Sequence, residues 1–130
     1  MSSGPMILGL RTSQLHVQPH NLAAVRDWYI RALGVTPYFD EPFYVGFNLG
    51  GYEFGLVPDE SASYTSGSTY VYWGVADLAA ALTNFLQYGA RDLTGMEDVG
   101  GGIRKATIQD PFGHRFGLIE NPNFQPALKT

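Results

Sequence analysis

Seven residues of this chain occur twice in near copy. Residues 52–58 read Tyr-Glu-Phe-Gly-Leu-Val-Pro and residues 114–120 read His-Arg-Phe-Gly-Leu-Ile-Glu. Each copy alternates as a strand does, so Phe and Leu share one face and the glycine between them falls on the other. A strand glycine marks a bulge, tight packing, or a place where another group needs room. Two of them at matched places point to an architecture built from equivalent halves.

The flanking sequence repeats as well. Residues 11–19 alternate, with Leu15 and Val17 on one face and Gln14 and His16 on the other. Asn21 is placed to cap a helix in which Leu22, Val25, Tyr29 and Ala32 recur at helical spacing, and Gly34 ends it. Residues 37–42 read as a loop, and residues 43–49 as a strand turned by Gly50-Gly51 into 52–57. Residues 59–68 have linker composition. The programme then restarts: a strand at 69–75, Asp77 as cap, a helix carrying Leu78, Leu82, Phe85 and Leu86 up to Gly89, a Gly-rich hairpin, and strands at 103–109 and 114–119. The expectation is an α+β domain spanning 1–130. It comprises a βαβββ module at 10–58, a linker at 59–68, a second βαβββ module at 69–122 and a tail at 123–130. Each helix covers one face of its sheet, and the two sheets curl around a shared cleft. Residues 6–10 add an edge strand, exchange with a partner, or hang free.

Composition narrows the function. The chain lacks cysteine, so disulfides and thiolate chemistry are excluded, which fits a cytoplasmic setting. No signal-peptide pattern or membrane-length apolar run is present, so no membrane association is expected. Net charge is -4 with the basic residues scattered, which argues against nucleic-acid binding. Residues 32–90 hold six carboxylates and no Lys or Arg, together with thirteen of the eighteen aromatics. An acidic, aromatic middle suits a flat or cationic organic ligand, if those side chains are not simply core and solvated loop.

Asn-Leu-Ala-Ala-Val-Arg-Asp-Trp-Tyr-Ile-Arg-Ala-Leu-Gly-Val at 21–35, Leu-Gly-Gly-Tyr-Glu-Phe-Gly-Leu at 49–56 and Asp-Pro-Phe-Gly-His-Arg-Phe-Gly-Leu-Ile-Glu at 110–120 stand inside this repeat. In that order and spacing they resemble the vicinal oxygen chelate superfamily, which includes glyoxalase I, extradiol dioxygenases, fosfomycin-resistance enzymes and bleomycin-resistance binding proteins. The resemblance implies a glyoxalase/bleomycin-resistance-like fold and a homodimer. It also implies four metal-ligand positions, which fall on Gln14, on Gly55, on or beside Val71, and on Gly117. Of these only Gln14 offers a donor, and one neutral amide does not hold a divalent ion. The implied metal site is therefore read as lost.

Two functions remain in view. The favoured one is a metal-free binding module without a cofactor, in which a small organic molecule lies in a cleft lined by Gln14, His16, Tyr44, Asn48, Glu53, Trp73, Lys105, Thr107 and Arg115. Tyr38 and Phe39 form a lid, and the space at Gly55 and Gly117 admits a planar ligand. Trp73 supplies stacking, if it is not core, and Glu53 meets a cation, if it is not paired with Lys105 or Arg115. The alternative is a lyase, isomerase or dioxygenase. It would use a divalent metal on relocated ligands Gln14, His16 and Glu53, or work without metal, with Glu53 or His16 as general base at a carboxyl pKa raised by burial. A blander third option is a cleft filled by the protein's own side chains.

Overall fold

A computed structural model describes residue 6, residue 10, and residues 12–62 and 71–122. The segment 6–10, most of the linker 59–68, the start of the strand expected at 69–75 and the tail 123–130 lie wholly or partly outside the described residues.

The first half runs β1 (Thr12–Val17), α1 (Leu22–Leu33), β2 (Phe39–Glu41), β3 (Tyr44–Leu49) and β4 (Tyr52–Pro58). Its sheet has the order β1-β4-β3-β2, with β1 parallel to β4 and the other pairs antiparallel. The second half runs β5 (Tyr72–Gly74), α2 (Leu78–Gln87), β6 (Arg91–Asp92), β7 (Glu97–Gly100), β8 (Ile103–Gln109) and β9 (Arg115–Glu120). Its sheet repeats the plan as β5-β9-β8-β6, and β7 pairs with the same strand as β6. The chain is thus an α+β fold of two similar halves, βαβββ in the first and βαββββ in the second, where β7 is the additional strand. Neither sheet closes on itself, as a curled open sheet requires.

Local chemistry explains most boundaries. Gly34 ends α1 in the left-handed conformation at φ 69°, with its N–H donating to the Ile30 carbonyl. Asp77, in extended conformation, caps α2 by accepting from the Ala80 N–H at 3.1 Å. Asn21 does not do the same for α1. A 3-10 turn, Pro19–Asn21, runs straight into the helix and sets Asn21 at φ -99°, ψ -4°, where its side chain makes no capping bond. The loop expected at 37–42 contains the short edge strand β2, because Phe39, Asp40 and Glu41 pair with Gly46, Val45 and Tyr44. Pairing with an existing strand stabilises three residues that local propensity alone does not.

Both sheets bury one face. Val45 and Phe47, Phe54 and Leu56, Ala106 and Ile108, and Phe116 and Leu118 pack with Val25, Trp28 and Tyr29 of α1 and Leu78, Leu82 and Phe85 of α2 in one continuous core. The halves are joined through it. Phe54 meets Trp73 edge-on at 5.7 Å, and Tyr29 lies 6.3 Å from Phe116. Three directional bonds also tie α1 to the second half. Trp28 Nε1 donates to the Tyr88 carbonyl at 2.7 Å, the Ala32 carbonyl accepts from Asn84 Nδ2 at 2.9 Å, and the Tyr29 hydroxyl donates to Asp110 Oδ2 at 2.8 Å.

Asp110 is buried and accepts four hydrogen bonds. Its Oδ1 takes the Phe112 and His114 N–H groups at 2.8 and 2.9 Å, and its Oδ2 takes Tyr29 and lies 2.7 Å from His114 Nδ1. A buried carboxylate is tolerated when its acceptor sites are filled in this way. Burial first, and then Asp110, pushes the Tyr29 phenol well above its ordinary pKa.

Asp110→Ala orphans these donors and is expected to cost about 3–5 kcal/mol in urea unfolding, whereas Tyr29→Phe, which removes one donor, costs about 1.5–3 kcal/mol. Equal midpoints for the two variants would show that the carboxylate does not organise the turn.

Candidate functional site

The faces of the two sheets turned away from the core carry the chemistry. On β1 this face holds Thr12, Gln14 and His16, on β3 Tyr44, Gly46 and Asn48, and on β4 Glu53, Gly55 and Val57, as the cross-strand registers require. In the second half it holds Tyr72 on β5, Lys105, Thr107 and Gln109 on β8, and Arg115 and Gly117 on β9. Gln14 is the direct neighbour of Gly55, and Tyr72 is the direct neighbour of Gly117.

The space expected over the two repeat glycines is filled. A Cβ built at Gly55 would fall 2.2 Å from Tyr44 Oη, and one at Gly117 would fall 2.1 Å from Tyr72 Cδ1. Gly46 carries a third ring, with Tyr38 Cε1 2.9 Å from the same built position. In each case a tyrosine occupies the space where a side chain would have stood. The repeat therefore encodes two notches and two rings that seat in them, which corrects the expectation that a planar ligand has that room.

Glu53 collects the first half's polar groups. Its Oε2 accepts from the hydroxyls of Tyr38 and Tyr44, the latter at 2.8 Å, and its Oε1 accepts from Thr12 Oγ1 at 3.3 Å. Tyr38 first, then Tyr44, holds the carboxyl pKa below its ordinary value. The raised pKa that a general base needs is not produced, because Glu53 is only half-buried and hydroxyl donors favour the anion. Tyr44 responds in the opposite sense. Burial and then Glu53 push its phenol up to about 12, with the neighbouring Gln14 amide opposing. Beside Glu53 opens a hollow of about 240 Å³ lined by Tyr38, Phe47, Asn48, Gly51 and Tyr52. Phe39 lies 6.5 Å from Tyr38 and 6.1 Å from Tyr44, next to the exposed Phe43.

The other expected residues are dispersed. His16 pairs in register with Val57, whereas Glu53 pairs with Thr12, so they stand four residues apart along the strands, roughly 13 Å. His16 Nδ1 instead lies 2.7 Å from Asp59 Oδ2. Ser61, and then His16, hold the Asp59 pKa at about 2. Asn48 Oδ1 accepts from the Gly51 N–H at 2.9 Å and so belongs to the hairpin turn. Lys105 lies 5.5 Å from the centre of the Tyr72 ring and 3.6 Å from Glu97, not beside Glu53. Thr107 is buried next to Gly117. Trp73 is on the opposite face: it pairs with Leu118 and packs against the core. Neighbouring strand residues point to opposite sides, so the cleft-side aromatic of β5 is Tyr72, which the sequence reading passed over. The available signal was register, since a residue paired with Gly117 must share its face.

A family model described as the Glyoxalase/Bleomycin resistance protein/Dioxygenase superfamily matches residues 12–118. The chain belongs to this superfamily. Among solved structures it is similar to a glyoxalase-related enzyme from Fulvimarina pelagi, 16% identical, with a TM-score of 0.74 over 93% of this chain and 94% of that one. It is also similar to a superfamily member from Sphaerobacter thermophilus, 20% identical, TM-score 0.73, covering 90% and 100%. A third is the genomically encoded fosfomycin resistance protein from Listeria monocytogenes, 15% identical, TM-score 0.72, covering 89% and 95%. Likeness at these identities is likeness of fold. A search of curated proteins finds no match.

The metal positions that superfamily membership implies do not carry a metal's donors in this chain. They present one amide at Gln14, a tyrosine at Tyr72 beside Val71, and two glycines under rings. Among the described residues no three His, Asp or Glu side chains gather as ligands. The relocated set fails as well, since His16 and Glu53 face different partners at opposite ends of their strands.

Two outcomes test this geometry. At Gly55 the clashing atoms are the far end of Tyr44, which can swing aside; at Gly117 they are the body of the Tyr72 ring. Gly55→Ala should cost about 1 kcal/mol and Gly117→Ala about 3, with Tyr72→Ala relieving part of the second; a reversed order would place the rings elsewhere. Tyr44 titrates near 12 when folded and near 10 when unfolded. Its contribution to stability is therefore complete below pH 10 and lost as pH rises toward 12. Ultraviolet titration of Glu53→Gln, with the Tyr44 phenol assigned by comparison with Tyr44→Phe, should show that phenol moving down from about 12, and an unmoved phenol would detach Tyr44 from Glu53.

Proposed function

We propose that this protein is a metal-independent binder of small organic cations bearing an aromatic group, held at Glu53 on the outer face of the first sheet. The observation that carries this reading is how Glu53 is kept ionised. Asp27, Asp40, Glu97 and Glu120 each sit beside an Arg or Lys. Glu53 is satisfied by three neutral hydroxyls, so among the described residues no cation cancels its charge. It keeps a full negative charge at the rim of a hollow whose walls include Tyr38 and Tyr52. An ammonium group meets that charge and an aryl group meets the rings, and cation–π contact adds about 0.5–2 kcal/mol. The donor set supports binding rather than turnover: two of the superfamily's metal positions are glycines covered by rings, and the carboxylate is a weak base.

A second chain completing this face is part of the proposal. The exposed cluster of Tyr38, Phe39 and Phe43 supplies an apolar edge suited to self-association.

The test combines metal loading with a ligand screen. Untagged protein incubated with nickel, zinc, manganese or iron and then desalted should retain no stoichiometric metal. Benzylamine and benzyltrimethylammonium should raise the melting temperature, and Glu53→Gln should weaken both by at least tenfold while Trp73→Phe does not. Retained metal, or binding indifferent to Glu53→Gln, would overturn the reading.

A further inference from the structure

A second cavity lies at the junction of the halves and has the opposite polarity. It encloses about 130 Å³ between β1 and the β5–β9 pair, lined by Ser13, Gln14 and Leu15 on one side and by Val71, Trp73, Arg115 and Phe116 on the other, with Phe54 behind. Trp73 and Phe54 meet edge-on and form an aromatic wall. The lining holds no carboxylate, although the chain as a whole is acidic.

Arg115 distinguishes this cavity. Among the described residues Arg26, Arg104 and Lys105 each lie against a carboxylate, whereas Arg31, Arg91 and Arg115 do not, and of these three it is Arg115 that lines this cavity. Arg115 is exposed on the outer face of β9, and among the described residues no carboxylate lies within ion-pair distance of it. Its planar fork of donors is shaped for a carboxylate, and an arginine at the mouth of an apolar, aromatic cavity provides the two ends that a short amphipathic anion requires. Size sets the other bound: a cavity of about 150 Å³ takes a benzene ring, and this one, at about 130 Å³, takes at most one small group with the charged end left at the mouth. We infer that the junction cavity is a binding site for a small organic carboxylate, with an aryl or short acyl group against Trp73 and Phe54 and its carboxylate on Arg115. Ser13 and Gln14 line the same cavity and offer hydrogen bonds to the anion. The site is independent of the cation site at Glu53. The Gln14 amide borders both, since it lines this cavity and neighbours the Tyr44 hydroxyl that donates to Glu53.

The experiment uses benzoate, with benzamide and benzylamine as probes of matched ring and different charge. Isothermal calorimetry should show benzoate binding at least tenfold more tightly than either at this site, accompanied by a change in tryptophan fluorescence. Trp28 is buried with its Nε1 bonded to Tyr88, so the signal belongs to Trp73. Trp73→Phe should remove the optical change but retain the heat of binding. Arg115→Gln should reduce benzoate affinity at least tenfold, Arg115→Lys less, and Glu53→Gln not at all. Arg115 is exposed, so its variants are expected to stay folded, and unfolding midpoints check this. Benzamide binding as tightly as benzoate, or Arg115→Gln leaving benzoate affinity unchanged, would overturn the proposal. Loss of benzylamine binding in Glu53→Gln with benzoate binding intact would separate the two sites.

Discussion

The structure depends on one buried carboxylate. Asp110 sits where the first half's helix meets the second half's last hairpin, and its four hydrogen bonds shape the turn and hold Tyr29 against it. Apolar packing between α1 and the second half is non-directional and sets no unique angle between the sheets, so directional bonds such as this one fix it. Trp28 and Asn84 add two further directional bonds across the same seam. Two modules that look independent in sequence thereby share one core, and their outer faces keep a defined relation to each other.

The outer face is where side chains, not the backbone plan, set the polar chemistry of this chain. Two strand glycines leave notches at the places where superfamily membership implies metal ligands, and tyrosines from the neighbouring strands lie in them. The rings fill the volume beside both glycines, which themselves supply no donor. They also position two hydroxyls: Tyr44 feeds Glu53, and Tyr72 lies beneath Lys105. The same device sets a carboxylate with no cation partner among the described residues beside the rings of one half, and an ammonium paired with Glu97 over the ring of the other.

The neutral donors around Glu53 matter for this reason. A carboxylate stabilised by an arginine has spent its charge on that partner, whereas one stabilised by hydroxyls retains it. Arg115 is the converse at the junction cavity, a cation whose surroundings offer apolar walls and amides but no anion. The two features share Gln14 as a border and differ in which ligand charge they can satisfy.

How much of this was legible in the sequence follows from the range of each interaction. The repeat, the face on which its glycines fall, the Gly34 stop and the Asp77 cap are local, decided by residues within one turn or one strand. They could be read in order along the chain, and with them the α+β plan and the superfamily. Asn21 does stand at the N-cap position, but a 3-10 turn upstream sets it so that its side chain makes no capping bond, and β2 does not show as a strand in the sequence because its pairing with β3 supplies what its own three residues lack. The candidate site was legible as a set of residues and not as an arrangement. Glu53, Tyr44 and Gln14 do gather, but His16 turns to Asp59, Lys105 to Glu97 and Trp73 to the core. Register decides which strand residues are neighbours, and register across β1–β4 and β5–β9 is set by pairings 41 or more positions apart. The sequence by itself determined that Gly55 and Gly117 fall at matched places on the face opposite Phe and Leu, and it left open what, if anything, occupies the room there. Only the tertiary structure decided that the occupants are Tyr44 and Tyr72, because a notch is local and the ring that fills it comes from another strand.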